Sequence, residues 1–104
     1  MGAESVTGSE LDASVGTAKK TAAVFFWATW EGTCKAYMPT YEDVANSNSN
    51  LAFYKFDVDS DQSTTLKYGV RSVPTVQLFK GGQMINQLVG APTRVKLDAL
   101  VANA

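Results

Sequence analysis

Residues 22–35 read AAVFFWATWEGTCK, and this stretch carries the strongest evidence for the fold. Its first part, residues 22–27, is a continuous apolar run in which no polar residue alternates with the apolar ones. Such a run is typical of a strand that is covered on both faces in the middle of a sheet. We therefore predict that residues 22–27 form the central strand of the domain.

A helix pattern begins shortly after this strand. From residue 33 to residue 46 the apolar side chains recur at the spacing of one helix face, and only Pro39 interrupts the pattern. Proline cannot donate the backbone hydrogen bond of a helix interior, and it bends a helix that contains it. The pattern therefore predicts a helix that is kinked at Pro39.

The rest of the chain alternates between strand and helix patterns. We predict strands at residues 3–6, 51–58, 75–79 and 84–89, and helices at residues 9–18, 63–68 and 93–102. Ser9 and Thr93 are the expected N-caps, and Gly69 is expected to end the helix before it. Gly81 and Gly82 are expected to turn the chain into an antiparallel hairpin. This order implies an α/β domain with a mixed sheet between helical layers.

The composition fits one compact domain that spans residues 1–104. Hydrophobic residues make up 45% of the chain and aromatic residues 11%. Lys and Arg number 9 and Asp and Glu number 10, so the formal net charge is -1. A net charge this close to zero gives no general attraction for nucleic acid or for an anionic membrane surface, and we expect neither as a partner.

The N-terminal segment and the cysteine count indicate a cytoplasmic protein. Residues 1–20 are polar and lack the apolar run of a secretory signal or a membrane span. Cys34 is the only cysteine, so no intrachain disulfide can form, which agrees with a reducing compartment. The chain has no histidine, and this excludes Cys-His and Ser-His catalysis and His-based zinc sites within one chain.

Several segments in the same order resemble the thioredoxin family. They are residues 26–35 (FWATWEGTCK), 68–75 (YGVRSVPT), 79–82 (FKGG) and 89–91 (VGA). The resemblance extends from about residue 22 to the C-terminus. It implies the thioredoxin fold, in which helices flank a central mixed sheet, and disulfide chemistry on protein substrates.

The chain departs from the family pattern at the site of that chemistry. Against the family motif Phe-Trp-Ala-x-Trp-Cys-Gly-Pro-Cys-Lys, Glu31 stands at the first cysteine and Thr33 at the proline, so Cys34 matches the recessed, resolving cysteine. Phe25 stands where thioredoxins usually have a buried aspartate, so the partner that Lys55 would have faced is missing. Dithiol exchange needs one thiol to attack and another to resolve the mixed disulfide. We therefore expect this activity to be lost.

Glu31 and Cys34 each have two interpretations. Glu31 is expected to cap the following helix through its carboxylate, and the alternative is a part in catalysis or ligand contact. Its negative charge disfavours a second negative charge on the sulfur of Cys34. Cys34 is either an inert packing residue or the site of a mixed disulfide with glutathione or a client protein.

The resemblance also implies a groove that binds an extended substrate segment beside a cis-proline loop. The residues expected to form it are Trp30, Gly32, Thr33, Val73, Pro74, Gly90 and Ala91. We predict a monomeric protein that binds protein clients in this groove without dithiol turnover. A monothiol oxidoreductase that uses Cys34 is the main alternative, and an iron–sulfur cluster held by Cys34 of two chains is a third.

No metal or cofactor is expected from the rest of the sequence. Asp57, Asp59 and Asp61 are spaced like calcium ligands, but they lack the glycine and the distal glutamate of an EF-hand. We interpret them as a solvated turn. Gly81 and Gly82 are not a phosphate-binding loop, because such loops lead from a strand into a helix.

Overall fold

The computed structural model describes residues 2–16 and 21–104. Its elements follow the predicted order. They are β1 (Glu4–Ser5), α1 (Gly8–Gly16), β2 (Thr21–Trp27), α2 (Gly32–Ser47), β3 (Ala52–Asp57), α3 (Gln62–Lys67), β4 (Thr75–Lys80), β5 (Gln83–Val89) and α4 (Arg94–Ala102).

A five-stranded sheet forms the middle of the domain, with the strand order β1-β3-β2-β4-β5. β1, β3 and β2 are parallel, whereas β4 is antiparallel to both β2 and β5. In β2, Phe25 is paired with Lys55 of β3 on one side and with Val76 of β4 on the other. The predictions of a mixed sheet and of a central strand at residues 22–27 are confirmed.

Successive residues of β2 point into two different apolar cores, one on each face of the sheet. Phe25 belongs to the core that α2 and α4 cover, where it lies with Tyr41 and Leu97. Phe26 belongs to the opposite core, to which α1 contributes Leu11. Because both faces of β2 are buried, apolar side chains are favoured at consecutive positions, which explains the uninterrupted run.

Helix α1 begins earlier than the sequence analysis predicts. The Thr7 N–H donates to Glu10 Oε1 at 2.8 Å, and the Glu10 N–H donates to Thr7 Oγ1 at 3.2 Å. This reciprocal pair is a capping box, so the prediction of Ser9 as the N-cap is wrong. The signal was present in the sequence, because Glu10 follows Thr7 at capping-box spacing. The predicted end of this helix at residue 18 lies outside the described residues.

The other predicted helices begin and end within one residue of their predicted bounds, and the hairpin is confirmed. Thr93 caps α4 by accepting a hydrogen bond from the Lys96 N–H. Gly69 follows α3 with a φ of 71°, a left-handed conformation that favours glycine. Pro39 lies inside α2, as predicted. No helix within residues 2–16 and 21–104 is long and apolar enough to cross a membrane.

Candidate functional site

The link from β2 to α2 places Glu31 at the start of the helix. Glu31 has an extended backbone conformation, and its Oε1 accepts a hydrogen bond from the Thr33 N–H at 3.0 Å. The N-terminal N–H groups of a helix have no partner within the helix, and a carboxylate satisfies one of them. The predicted capping role of Glu31 is confirmed. Its second oxygen, Oε2, has no hydrogen-bond partner among the described residues.

Cys34 lies in the first turn of α2 and is fully buried, with 0% of its surface exposed. Burial raises the pKa of the Cys34 thiol above its ordinary value, a hydrogen bond with the Ala28 backbone opposes that rise, and the negative charge of Glu31 adds to it. The thiolate is the nucleophilic form of cysteine. Inaccessibility and a raised pKa both make Cys34 a poor nucleophile at neutral pH.

Phe25 occupies an aromatic cluster beneath this helix. Its ring lies 5.0 Å from the ring of Tyr41 and 5.7 Å from the ring of Tyr37, measured between ring centroids. Phe25 and Tyr41 both have 0% exposure. The Tyr41 hydroxyl donates to the Tyr54 carbonyl at 2.8 Å, so its polar atom is satisfied. The position of the family's buried acid is thus filled by an aromatic ring that lies against two tyrosine rings.

Lys55 has a partner that the sequence analysis missed. Its ammonium forms an ion pair with Glu42 of α2, which also accepts a hydrogen bond from the Ala3 N–H at 2.6 Å. Burial favours the neutral form of Glu42, but the hydrogen bonds from Ala3 and Lys55 outweigh it, and the pKa of Glu42 is lowered. Because position 25 is a phenylalanine, Lys55 lacks the acidic partner that the family pattern would supply there. It pairs with Glu42 instead.

A cavity of about 350 Å³ lies beside the start of α2. Its lining residues come from three loops and the helix α3, and they are Trp30, Glu31, Val58, Thr65, Val70, Arg71, Ser72 and Val73. Trp30 is 69% exposed, and its Nε1 donates to Asp59 Oδ2 at 2.6 Å. This hydrogen bond holds the indole in place while leaving its apolar surface in contact with solvent.

The structure brings together only part of the predicted groove around this cavity. Trp30 and Val73 line it together, and Val73 is joined to the buried Pro74 by a cis peptide bond. The Gly90 N–H donates to the Pro74 carbonyl at 2.9 Å, which places Gly90 next to this loop. Gly32, Thr33 and Ala91 are exposed and do not line the cavity.

Several lining residues, above all Arg71, are not among the predicted groove residues. This residue lies within the segment 68–75 that carries the family resemblance, directly before Ser72 and Val73. It is exposed, and no ion pair or hydrogen bond joins its side chain to another of the described residues. Its position within segment 68–75 was the feature of the sequence that could have identified it as a site residue. The cavity therefore carries an unpaired positive charge as well as the carboxylate of Glu31.

The last residue of β3, Asp57, and the two acids that follow it serve local structure. Asp57 accepts a hydrogen bond from the Asp59 N–H, Asp59 accepts one from Trp30, and Asp61 caps α3 by accepting from the Thr64 N–H. Within the described residues, no group of three or more His, Cys, Asp or Glu side chains is arranged to hold a metal ion.

Comparison with known proteins identifies the family to which this fold and site belong. The family model described as Thioredoxin matches residues 2–103. This chain belongs to the thioredoxin family. It is 38% identical to Thioredoxin-2 of Saccharomyces cerevisiae over 95 residues, which cover 91% of each chain. It is 32% identical to a thioredoxin of Streptomyces clavuligerus, over 90% of this chain and 88% of that relative.

Solved thioredoxin structures match the fold closely. The thioredoxin of Malassezia sympodialis superimposes with a TM-score of 0.89 at 32% identity, covering 99% of this chain and 91% of that one. A thioredoxin of Plasmodium falciparum also gives a TM-score of 0.89, at 31% identity and with 96% of this chain covered. The thioredoxin fold is therefore retained in a chain that has a single cysteine.

Proposed function

We propose that this thioredoxin-family protein binds protein partners in the groove beside α2 and does not carry out dithiol–disulfide turnover. One observation carries the proposal. The only cysteine of the chain has no accessible surface, and a carboxylate, Glu31, holds the more exposed position at the helix start. We further propose a cytoplasmic location, because a chain with one thiol has no intrachain disulfide that an oxidising compartment would maintain.

The proposed loss of turnover follows from the balance of the reaction. In dithiol exchange, a thiolate attacks a substrate disulfide, one substrate sulfur leaves as a thiolate, and a mixed disulfide forms. A second thiolate of the same protein then attacks the mixed disulfide, releases the substrate as a dithiol and leaves an intramolecular disulfide. With one thiol, the second step cannot occur within one molecule.

The proposed binding role rests on the surface that remains beside Cys34. The cavity of about 350 Å³ lies within the size range of ligand sites, and Trp30 presents a large exposed aromatic surface to it. Aromatic side chains of this kind are common anchors in protein interfaces. The adjoining Val73–Pro74 segment precedes β4, so this site lies at an end of the sheet.

Peptide selection tests the binding role. A phage-displayed library of random peptides is selected on the purified chain, and the affinity of the selected synthetic peptides is measured by fluorescence anisotropy. We expect Trp30→Ala to weaken binding, while Cys34→Ser leaves it unchanged. Val95→Ala is the matched control, because Val95 is a comparably exposed apolar residue on α4, at 78% exposure, and does not line the cavity. Failure to select any peptide whose binding depends on Trp30 would overturn the proposal.

Labelling of Cys34 distinguishes the binder from the monothiol enzyme. A bulky maleimide is added to the native protein, and the labelled fraction is followed by mass spectrometry. Because Cys34 is fully buried, we expect labelling only at the rate of local or global unfolding. Labelling as fast as that of a free thiol, together with multiple-turnover reduction of a disulfide substrate by an added thiol, would favour the monothiol enzyme instead.

A further inference from the structure

Two unpaired charges of opposite sign line the same cavity. Glu31 uses Oε1 as the helix cap, and its Oε2 has no partner among the described residues. The guanidinium of Arg71 likewise has none there. No ion pair within the described residues joins Glu31 to Arg71 or to Lys35, the residue one helical turn further along α2. The two charges thus remain available to a third group.

Apolar surface accompanies these two charges in the cavity. Trp30 and the valines Val58, Val70 and Val73 supply it. Asp59, whose Oδ2 accepts a hydrogen bond from the Trp30 Nε1, does not itself line the cavity. Glu31 is therefore the carboxylate of the cavity that still has a free acceptor, and Arg71 is the cation with free donors. The cavity therefore presents one carboxylate, one guanidinium and apolar surface to a partner.

We infer that the partner segment carries one basic and one acidic side chain, separated by an apolar one, on the same face of an extended strand. This inference rests on the proposed function of the groove and specifies its partner. Successive side chains of a strand point to opposite faces, so residues i, i+2 and i+4 face the same surface. The basic side chain pairs with Glu31, the apolar one packs against Trp30, and the acidic one pairs with Arg71.

The test uses the peptides selected on the unmodified chain. We expect them to be enriched in a basic residue and an acidic residue with an apolar residue between them, at alternate positions. Removal of one exposed charge pair, by Glu31→Gln or by Arg71→Gln, is expected to weaken binding by about twofold to fivefold. Glu31→Gln keeps an oxygen that accepts from the Thr33 N–H, so the helix cap is preserved.

Charge reversal supplies a specific check. Arg71→Glu should weaken binding of the original peptide, and replacement of the peptide's acidic residue by lysine should restore it. Glu4→Gln and Lys80→Gln are the matched controls, since both side chains are exposed and neither lines the cavity. Neither control should change the affinity. The salt dependence of binding should also decrease in Glu31→Gln and in Arg71→Gln, because each variant removes a screened charge pair.

The outcomes separate this inference from the proposed function. Peptides whose binding requires Trp30 but is unchanged in Glu31→Gln and Arg71→Gln would overturn the inference and leave the binding groove standing. A dependence on only one of the two charges would also overturn it. Failure to select any Trp30-dependent peptide would overturn both. Loss of peptide affinity in Arg71→Glu, together with its recovery when the acidic residue of the peptide is replaced by lysine, would support both the inference and the proposed function.

Discussion

Replacement of Phe25 by aspartate introduces the acid that the family pattern places there, and the structure predicts that the fold resists it. Phe25 has 0% exposure, and its ring packs against Tyr37 and Tyr41 at centroid distances of 5.7 and 5.0 Å. Truncation of a buried phenylalanine costs about 3–5 kcal/mol. Burial of a carboxyl group without a hydrogen-bond partner adds about 1–3 kcal/mol.

The expected loss for Phe25→Asp is therefore about 4–8 kcal/mol, from the sum of these two costs. A domain of this size has a free energy of unfolding of about 5–15 kcal/mol, so the expected loss is a large part of the total stability. Lys55 is adjacent to Phe25 in the sheet, but its ammonium is engaged by Glu42. An aspartate at position 25 would have to compete with Glu42 for the Lys55 ammonium.

The free energy of unfolding that Phe25→Asp loses should also depend on pH, and it should increase as the pH rises. Burial raises the pKa of a carboxyl group, so the folded variant would keep its proton at pH values where the unfolded chain has released it. Stability then falls as the pH rises above the unfolded pKa of about 3.9, by up to about 1.4 kcal/mol for each pH unit until the folded pKa is reached. Phe25→Asp should consequently be less destabilised near pH 5 than near pH 7.

Urea denaturation followed by tryptophan fluorescence measures both effects. Phe25→Asn is the matched control, because the amide has nearly the same size and does not titrate; its loss should be large and independent of pH. Phe25→Leu should cost less than about 1.5 kcal/mol. A loss below about 2 kcal/mol for Phe25→Asp, equal at the two pH values, would show that this position is hydrated and that the reasoning about the aromatic cluster is wrong.

Further predictions concern three other positions. Glu31→Cys should give measurable reduction of insulin disulfides, because it restores a dithiol pair, and Glu31→Ser should give none. Gly8→Ala should lower the free energy of unfolding in urea by about 1–3 kcal/mol, since a Cβ there would clash with Asp61 Oδ2 and Thr64 Oγ1. The pKa of Glu42 is lowered, so its contribution to stability is complete above its ordinary value of 4.5 and is lost as the pH falls further. The destabilisation by Glu42→Gln should therefore disappear in acid; equal losses at pH 3 and pH 7 would contradict this assignment.

The sequence was sufficient for most of the fold because the signals of secondary structure are local. The apolar run of residues 22–27 identified the central strand, and Gly69 and Thr93 marked a helix end and a helix start. The start of α1 is predicted wrongly although its signal is also local: Thr7 and Glu10 form the capping box, and Ser9 is not the cap. Within the site, the cap at Glu31 was predictable because it involves residues two positions apart.

The element order could be predicted from the sequence alone, and so could one excluded reaction: with one cysteine, no dithiol exchange can occur within the chain. Tertiary structure alone decided which distant side chains meet. Trp30 donates a hydrogen bond to Asp59, and Lys55 forms an ion pair with Glu42. Arg71 lines the same cavity as Glu31. The physical reason is that hydrophobic periodicity specifies which face of an element is buried, whereas a contact between side chains on separate elements depends on how those elements pack in space.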